Sequence, residues 1–264
     1  HECFIRLHHL QSMSCAVNPQ CGDEKRLEIT PAHVKKKVMV VGGGIGGMEA
    51  ARVCSLRGHN VVLCEKSNRL GGLLLVASEA DFKRDIGRLF SYQLNQLSKI
   101  RNMEVRLNTE VTQEIIRKEK PDTLFIATGS EPLRNTDIQG LERAPFVTPD
   151  EVYEGKIPSG SKAVIIGGGS VGCETALYLT QKNWSVVVAE MLPTAAADLF
   201  RANQEMLLAM IKEFGVELLT QATVRKIEPG KVFVRTDTGE RELLSDLIVL
   251  AVGRQPVNQR AAVA

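Results

Sequence analysis

The sequence has almost no imbalance of charge: 33 Lys and Arg stand against 31 Asp and Glu, leaving a formal charge of +2 over 264 residues. Without an excess of either sign there is no electrostatic case for a nucleic acid or an anionic membrane surface as partner. Long apolar runs are missing too, since nothing approaches the ~18 residues that span a bilayer. Six cysteines (Cys3, Cys15, Cys21, Cys54, Cys64 and Cys173) are too few and too scattered for a secreted disulfide scaffold, so a cytoplasmic setting is the default. The chain opens on His1 without a Met and stops at Ala264 inside a Val/Ala stretch. It therefore reads as a fragment, and the lack of a leader is uninformative. With 44% hydrophobic and 24% charged residues the mixture is globular, excluding a disordered or fibrous chain. At ~150 residues per domain the length suggests two domains.

What is present is an internal repeat. Residues 37–66 (KVMVVGGGIGGMEAARVCSLRGHNVVLCEK) align without a gap on 162–191 (KAVIIGGGSVGCETALYLTQKNWSVVVAEM), at an offset of 125 with ten identities in 30 positions. A second echo follows, LFIATGSEP (124–132) against IVLAVGRQP (248–256). A fixed period marks one architecture used twice. In each copy an apolar run (Val38–Val41, Val164–Ile166) predicts a parallel strand buried on both faces. A glycine loop, a helix (Met48–Leu56, Cys173–Gln181) and a β-branched strand (Asn60–Cys64, Ser185–Ala189) come next. Further strands are predicted at Glu104–Leu107 and Leu124–Ala127, then at Glu217–Leu219, Val232–Thr236 and Leu247–Val252, with a short hairpin opening at Lys231. Leu141–Gly160, with three prolines, reads as the linker between copies. Cys54, Cys64 and Cys173 fall inside these elements and read as small buried hydrophobes.

Gly42-x-Gly44-x-x-Gly47 and Gly167-x-Gly169-x-x-Gly172 both carry the dinucleotide fingerprint. The first glycine permits the tight turn, the second clears the approach of a pyrophosphate, and the third lets helix and strand pack closely. In each copy an acid, Glu65 or Glu190, lies 23 residues past the first glycine, placed to accept a hydrogen bond from a ribose hydroxyl. Glu190 repels a 2′-phosphate, and its neighbours Met191 and Leu192 offer no cation, so NADH is expected over NADPH at the second loop. Two adjacent dinucleotide sites suit hydride transfer between a nicotinamide and a flavin. Neither site has a C-x-x-C or C-x₄-C nearby, which argues against an internal redox disulfide. From the loops alone, which copy holds flavin is open. So is the role of the N-terminal cysteines, which lack a local C-x₂-C pair.

The run Cys3-x₁₁-Cys15-Ala-Val-Asn-Pro, a basic stretch and then KVMVVGGGIGGMEAA resembles the C-terminal part of the iron–sulfur relatives of Old Yellow Enzyme. These include 2,4-dienoyl-CoA reductase, enoate-reductase-like NADH:flavin oxidoreductases and trimethylamine dehydrogenase. The resemblance covers essentially the whole chain. It implies an α/β fold of two tandem Rossmann-like three-layer nucleotide-binding domains, of the glutathione-reductase-like FAD/NAD(P)-binding type, preceded by an irregular Cys-bearing arm. The boundaries drawn are 1–36 for the arm, 37–150 for the FAD(ADP)-binding domain and 151–264 for the NAD(P)H-binding domain. Carried over by position, Gly42, Gly44, Ile45, Gly46, Gly47, Glu65, Lys66, Arg69, Gly72, Val111, Ala127, Thr128 and Gly129 belong to the FAD side. Gly167, Gly169, Ser170, Val171, Gly172, Glu190 and Gly253 belong to the NAD side, and Glu174 lies either near the nicotinamide or at the helix cap.

By the same resemblance Cys3 and Cys15 are the third and fourth ligands of a [4Fe-4S] cluster. The first two would lie upstream, so this chain by itself is expected not to hold an intact cluster. A Gly-Asp return segment that completes the family's FAD site falls beyond Ala264, so FAD binding is expected to be weakened or lost. The parent would carry an upstream (β/α)₈ barrel with FMN, passing electrons from NADH through FAD and [4Fe-4S] to FMN and an enoyl- or dienoyl-type acceptor. Two alternatives stand: an amine-dehydrogenase-like parent with ADP in the first site, and a nucleotide-binding fragment without catalysis of its own. Association into a homo-oligomer is left open.

Overall fold

The computed structural model of the protein describes residues 2–134 and 136–257. These divide into two compact units, one running to Gly129 with Pro256 and Val257 added, the other Ser130–Gln255. His1 and residues 258–264, the outer ends of the arm and of the second domain as drawn, lie outside the described residues.

The first unit opens with α1 (Glu2–His8), after which residues 9–36 run without helix or strand. Then come β1 (Lys37–Val41), α2 (Ile45–Leu56), β2 (Asn60–Cys64), α3 (Leu73–Ser78), α4 (Arg84–Ser98), β3 (Met103–Arg106), α5 (Gln113–Glu119) and β4 (Thr123–Ile126). The four strands are parallel in the order β3-β2-β1-β4. The uninterrupted apolar run in β1 follows from cover on both faces. Val38 and Val40 pack with Met48 and Ala51 of α2 and Leu97 of α4, while Met39 and Val41 face Val111 and Ile115–Ile116 of α5.

The second unit repeats the plan. After β5 (Ser130–Pro132) and α6 (Pro149–Tyr153) come β6 (Lys162–Ile166), α7 (Ser170–Thr180), β7 (Ser185–Ala189), α8 (Arg201–Glu213) and β8 (Glu217–Leu219). Three antiparallel strands follow, β9 (Thr223–Glu228), β10 (Lys231–Thr236) and β11 (Gly239–Leu244), then β12 (Leu247–Leu250) and β13 (Arg254–Pro256). The parallel sheet runs β12-β6-β7-β8, the same order as the first read from its other edge. One face of it is covered by the antiparallel sheet, whose Val224, Ile227, Val232, Val234 and Leu243 pack on Val164, Ile166, Ile248 and Leu250.

Four expectations are adjusted. The compact division falls at 129/130, not 150/151, because the stretch taken as a linker builds the second unit. There Leu141 and Ala144 are core residues, Val147 bridges to Val249, and Pro149 is the first residue of α6 under a Thr148/Glu151 capping box. The helices after the loops begin at Ile45 and Ser170, three residues earlier than the apolar periodicity suggests, since their first turns are made largely of glycine and exposed residues. The hairpin at Lys231 is the last two strands of a three-stranded meander, because β9 precedes it. The arm is not irregular throughout, since α1 carries Cys3.

Candidate nucleotide-binding sites

Each glycine of the fingerprint meets the condition that chemistry requires of it, in both copies. Gly42 and Gly167 hold φ of +105° and +102°, and a Cβ there would strike the carbonyl oxygens of Ala127 and Ala251. At Gly47 and Gly172 a Cβ would collide with the carbonyl oxygens of Gly42 and Gly167, so helix and strand approach as closely as backbone allows. Gly44 caps α2 in extended backbone, and a Cβ built on it meets nothing within 4 Å. That open space at a helix N-terminus is the cradle a pyrophosphate needs. Gly169 caps α7 in the same way. Ile45 begins α2, Gly46 faces open space, and Gly72, at φ +51°, comes within 3.1 Å of Gly44 Cα if given a Cβ.

The acids act first on the loops themselves. Glu65, just past the end of β2, accepts the Gly43 N–H through Oε2 at 2.6 Å and the Ser67 N–H through Oε1 at 2.8 Å. Burial pushes its carboxyl up, but the Ser67 and Gly43 donors outweigh this and hold it below the usual carboxylate range. Glu190, buried at 7% exposure, does the same with Gly168 (2.6 Å) and Leu192 (2.7 Å). Each carboxylate is thereby oriented by two backbone donors, with further lone pairs open to a hydroxyl donor. At Gly43 and Gly168 a Cβ would press on the side chains of Glu65 and Glu190. These two middle glycines were not singled out from the sequence, although the triple glycine in both copies was the available signal.

In the first unit the predicted residues Gly42, Glu65, Lys66, Val111 and Thr128 come together along one groove, lined also by Val41, Cys64, Thr109, Glu110 and Val257. Val111 is buried, and Thr128 Oγ1 donates to Val257 O at 2.9 Å. Ala127 N–H bonds Val41 O at 2.8 Å, and Gly129, at φ +71°, accepts from Val257 N–H. Gly44, Ile45, Gly46, Gly47, Arg69, Gly72, Ala127 and Gly129 do not line the groove; the Arg69 carbonyl accepts from Ser67 Oγ.

In the second unit Ser170 is the first residue of α7, and Val171 behind it is 46% exposed. The Ser170 N–H and hydroxyl donate to Asp198 at 2.8 and 2.5 Å, a partner 28 residues away that the spacing did not reveal. Glu174 lies in the body of α7 and is not its capping residue, which is Gly169. Gly253, at φ +112°, accepts from Leu133 N–H at 3.0 Å. Cys173 is fully buried, its thiol donates to Gly168 O at 3.4 Å, and burial pushes its pKa up to about 12. It is a thiol without thiolate character. Cys3, Cys15 and Cys21 are free and partly buried. The backbone N–H groups of Asn18 and then Val17 hold the Cys15 thiol below its ordinary value. Among the described residues no three His, Cys, Asp or Glu side chains gather as a metal-holding group.

Two parallel sheets of one strand order, each with its own fingerprint glycine loop, define a FAD/NAD(P)-binding oxidoreductase fold. The family model for pyridine nucleotide-disulphide oxidoreductase matches residues 36–264, and the chain belongs to that family of enzymes. It is 38% identical over 255 residues to the cinnamate reductase of Clostridium sporogenes, covering 95% of this chain and 38% of that protein. It is likewise 38% identical over 251 residues to an NADH oxidase of Thermoanaerobacter brockii (93% and 38% covered). A solved 2-naphthoyl-CoA reductase superposes on all of this chain and 40% of its own, with TM-score 0.93 and 31% identity. The resemblance to the iron–sulfur relatives of Old Yellow Enzyme, drawn from the cysteine run and the paired loops, holds. The chain spans about two fifths of the length of the relatives it matches. Among the described residues no helix is long and apolar enough to cross a membrane.

Proposed function

We propose that this chain is the nucleotide-handling part of a flavin-dependent reductase, with FAD (or ADP) on the first loop and NADH on the second. The observation that carries the reading is the matched stereochemistry of the two loops, where Gly42/Gly167 and Gly47/Gly172 exclude a Cβ and Gly44/Gly169 keep side-chain atoms of their own off the helix N-terminus. A bound flavin would supply hydride acceptance and onward one-electron transfer. The chain's own residues do the positioning. The loop glycines and helix N-termini take the pyrophosphates, Glu65 and Glu190 take ribose hydroxyls, and Lys66, Thr109, Glu110 and Val111 line the groove beside Glu65.

By family order, Cys3 and Cys15 contribute two thiolates to a [4Fe-4S] site completed elsewhere in a larger cytoplasmic protein. An upstream FMN-bearing barrel would be the electron acceptor and an enoyl- or dienoyl-type compound the final substrate. Within this chain the electron route assigned ends at the first-site flavin. The names cinnamate reductase and 2-naphthoyl-CoA reductase support a conjugated acceptor.

The test is NADH addition to the flavin-loaded full-length protein under anaerobic conditions. Bleaching of the flavin is expected, with NADPH at least tenfold less effective because Glu190 disfavours a 2′-phosphate. A flavin left oxidised by NADH would overturn the reading in favour of an amine-dehydrogenase-like protein. More effective reduction by NADPH would overturn the cofactor assignment.

A further inference from the structure

Among the differences between the two loops, one involves a residue far along the chain. In the first copy Ile45 begins the helix and Leu73 stands where the return turn passes; at the same offset of 125 the second copy has Ser170 and Asp198. Ser170 N–H donates to Asp198 Oδ1 at 2.8 Å and its hydroxyl to Oδ2 at 2.5 Å. A carboxylate therefore lies on the N-terminus of α7, on the donors a bound pyrophosphate would use. If Gly169 bore a Cβ, its nearest neighbour would be that same Asp198 oxygen, at 3.7 Å, whereas the Gly44 position is empty.

The turn that delivers Asp198 is fixed. Ala196, fully buried, holds the left-handed φ of +50° that an alanine rarely adopts, and its N–H bonds Gly168 O at 2.7 Å. In the first copy the corresponding position is Gly71, at φ +121°, bonding Gly43 O at 2.9 Å. Asp198 itself is exposed, so its side chain can rotate into water without burying a charge.

We propose that Asp198 is a built-in stand-in for the pyrophosphate of the second-site nucleotide, which the ligand must displace on entry and which reoccupies the helix N-terminus as it leaves. The second site is thereby suited to a nucleotide that exchanges at each turnover. The first, with apolar Ile45 and Leu73 at the equivalent positions, is suited to one that stays. This rests on the assignment of a dinucleotide to the second loop, and it adds a residue that sets affinity and exchange.

The experiment titrates the full chain with NADH, read by its fluorescence, and with FAD in parallel, for the natural protein, Asp198→Ala and Asp198→Asn. Removing the carboxylate is expected to tighten NADH about tenfold, the scale of one charge-assisted hydrogen bond no longer competed for. Slower NADH release and unchanged FAD affinity should accompany it. The melting temperature should fall by a few degrees, since a helix cap is lost. Asp198→Asn keeps the shape and removes the charge, so it gives the same reading even if the alanine variant folds poorly. A residue that merely capped the helix would lower the melting temperature and leave NADH affinity unchanged or weaker, and either result overturns the proposal. Failure of all three proteins to bind NADH would instead overturn the nucleotide assignment, and the proposal with it.

Discussion

Gly44 and Gly47 lie three residues apart and should answer the same substitution in opposite ways. A Cβ at Gly47 is driven into the Gly42 carbonyl, and neither backbone segment can give way. Gly47→Ala should therefore cost about 1–3 kcal/mol of stability or more, the range for overpacking with backbone displacement, measured by urea unfolding of the chain. A Cβ at Gly44 meets nothing, so Gly44→Ala should unfold within about 0.5 kcal/mol of the natural protein yet lose first-site nucleotide affinity by tenfold or more. Equal stability losses at both positions would show that the first loop is structural alone. Both glycines were legible in the sequence, because the fingerprint is a local stereochemical code. Gly43, pressed against Glu65, was not singled out, because its constraint comes from the end of β2, 22 residues away.

At the level of elements, Glu119 at the end of α5 ties two strands of the first sheet. Its carboxylate bonds Lys37 Nζ of β1 at 2.7 Å and Arg106 Nη1 of β3 at 2.6 Å. Lys37, and next Arg106, hold its pKa down to about 2. A folded-state value below the ordinary ~4.3 gives a contribution that is complete above that value and is lost as the pH falls through it towards 2. The urea midpoint should accordingly decline below pH 4.5, and Glu119→Gln should lower it at neutral pH while flattening the acid slope. An unchanged slope in the variant would place the acid sensitivity at another carboxylate held low, such as Glu65. The core strands were legible because burial on both faces leaves an uninterrupted apolar run. The elements that carry α5's cap and the three-stranded meander were less so. Their strands are half-exposed and alternate weakly, as in the exposed β11 sequence Gly-Glu-Arg-Glu.

For the whole molecule, the second unit is continuous in sequence, from Ser130 to Gln255, and owns a core of its own. A protein of residues 130–255 is expected to fold cooperatively and to bind NADH with affinity within about threefold of the full chain, checked by circular dichroism and fluorescence titration. Starting instead at 151 would delete Leu141, Ala144, Val147 and the Thr148 cap, and should abolish the cooperative transition. Equal folding from either start would return the boundary to the proline-rich stretch. The sequence alone determined the duplication, both glycine loops and the acid that follows each, since each is legible in a short stretch of its own residues. Only tertiary structure decided what covers each copy. The similar strands Leu-Phe-Ile and Ile-Val-Leu end differently, with Phe125 and Ile126 at 40% and 50% exposure while β12 is buried throughout, because residues 141–147 and the meander pack on the second sheet. It likewise decided that Asp198 should stand on Ser170, a contact no local rule encodes, because a turn far along the chain must first be folded back onto the loop.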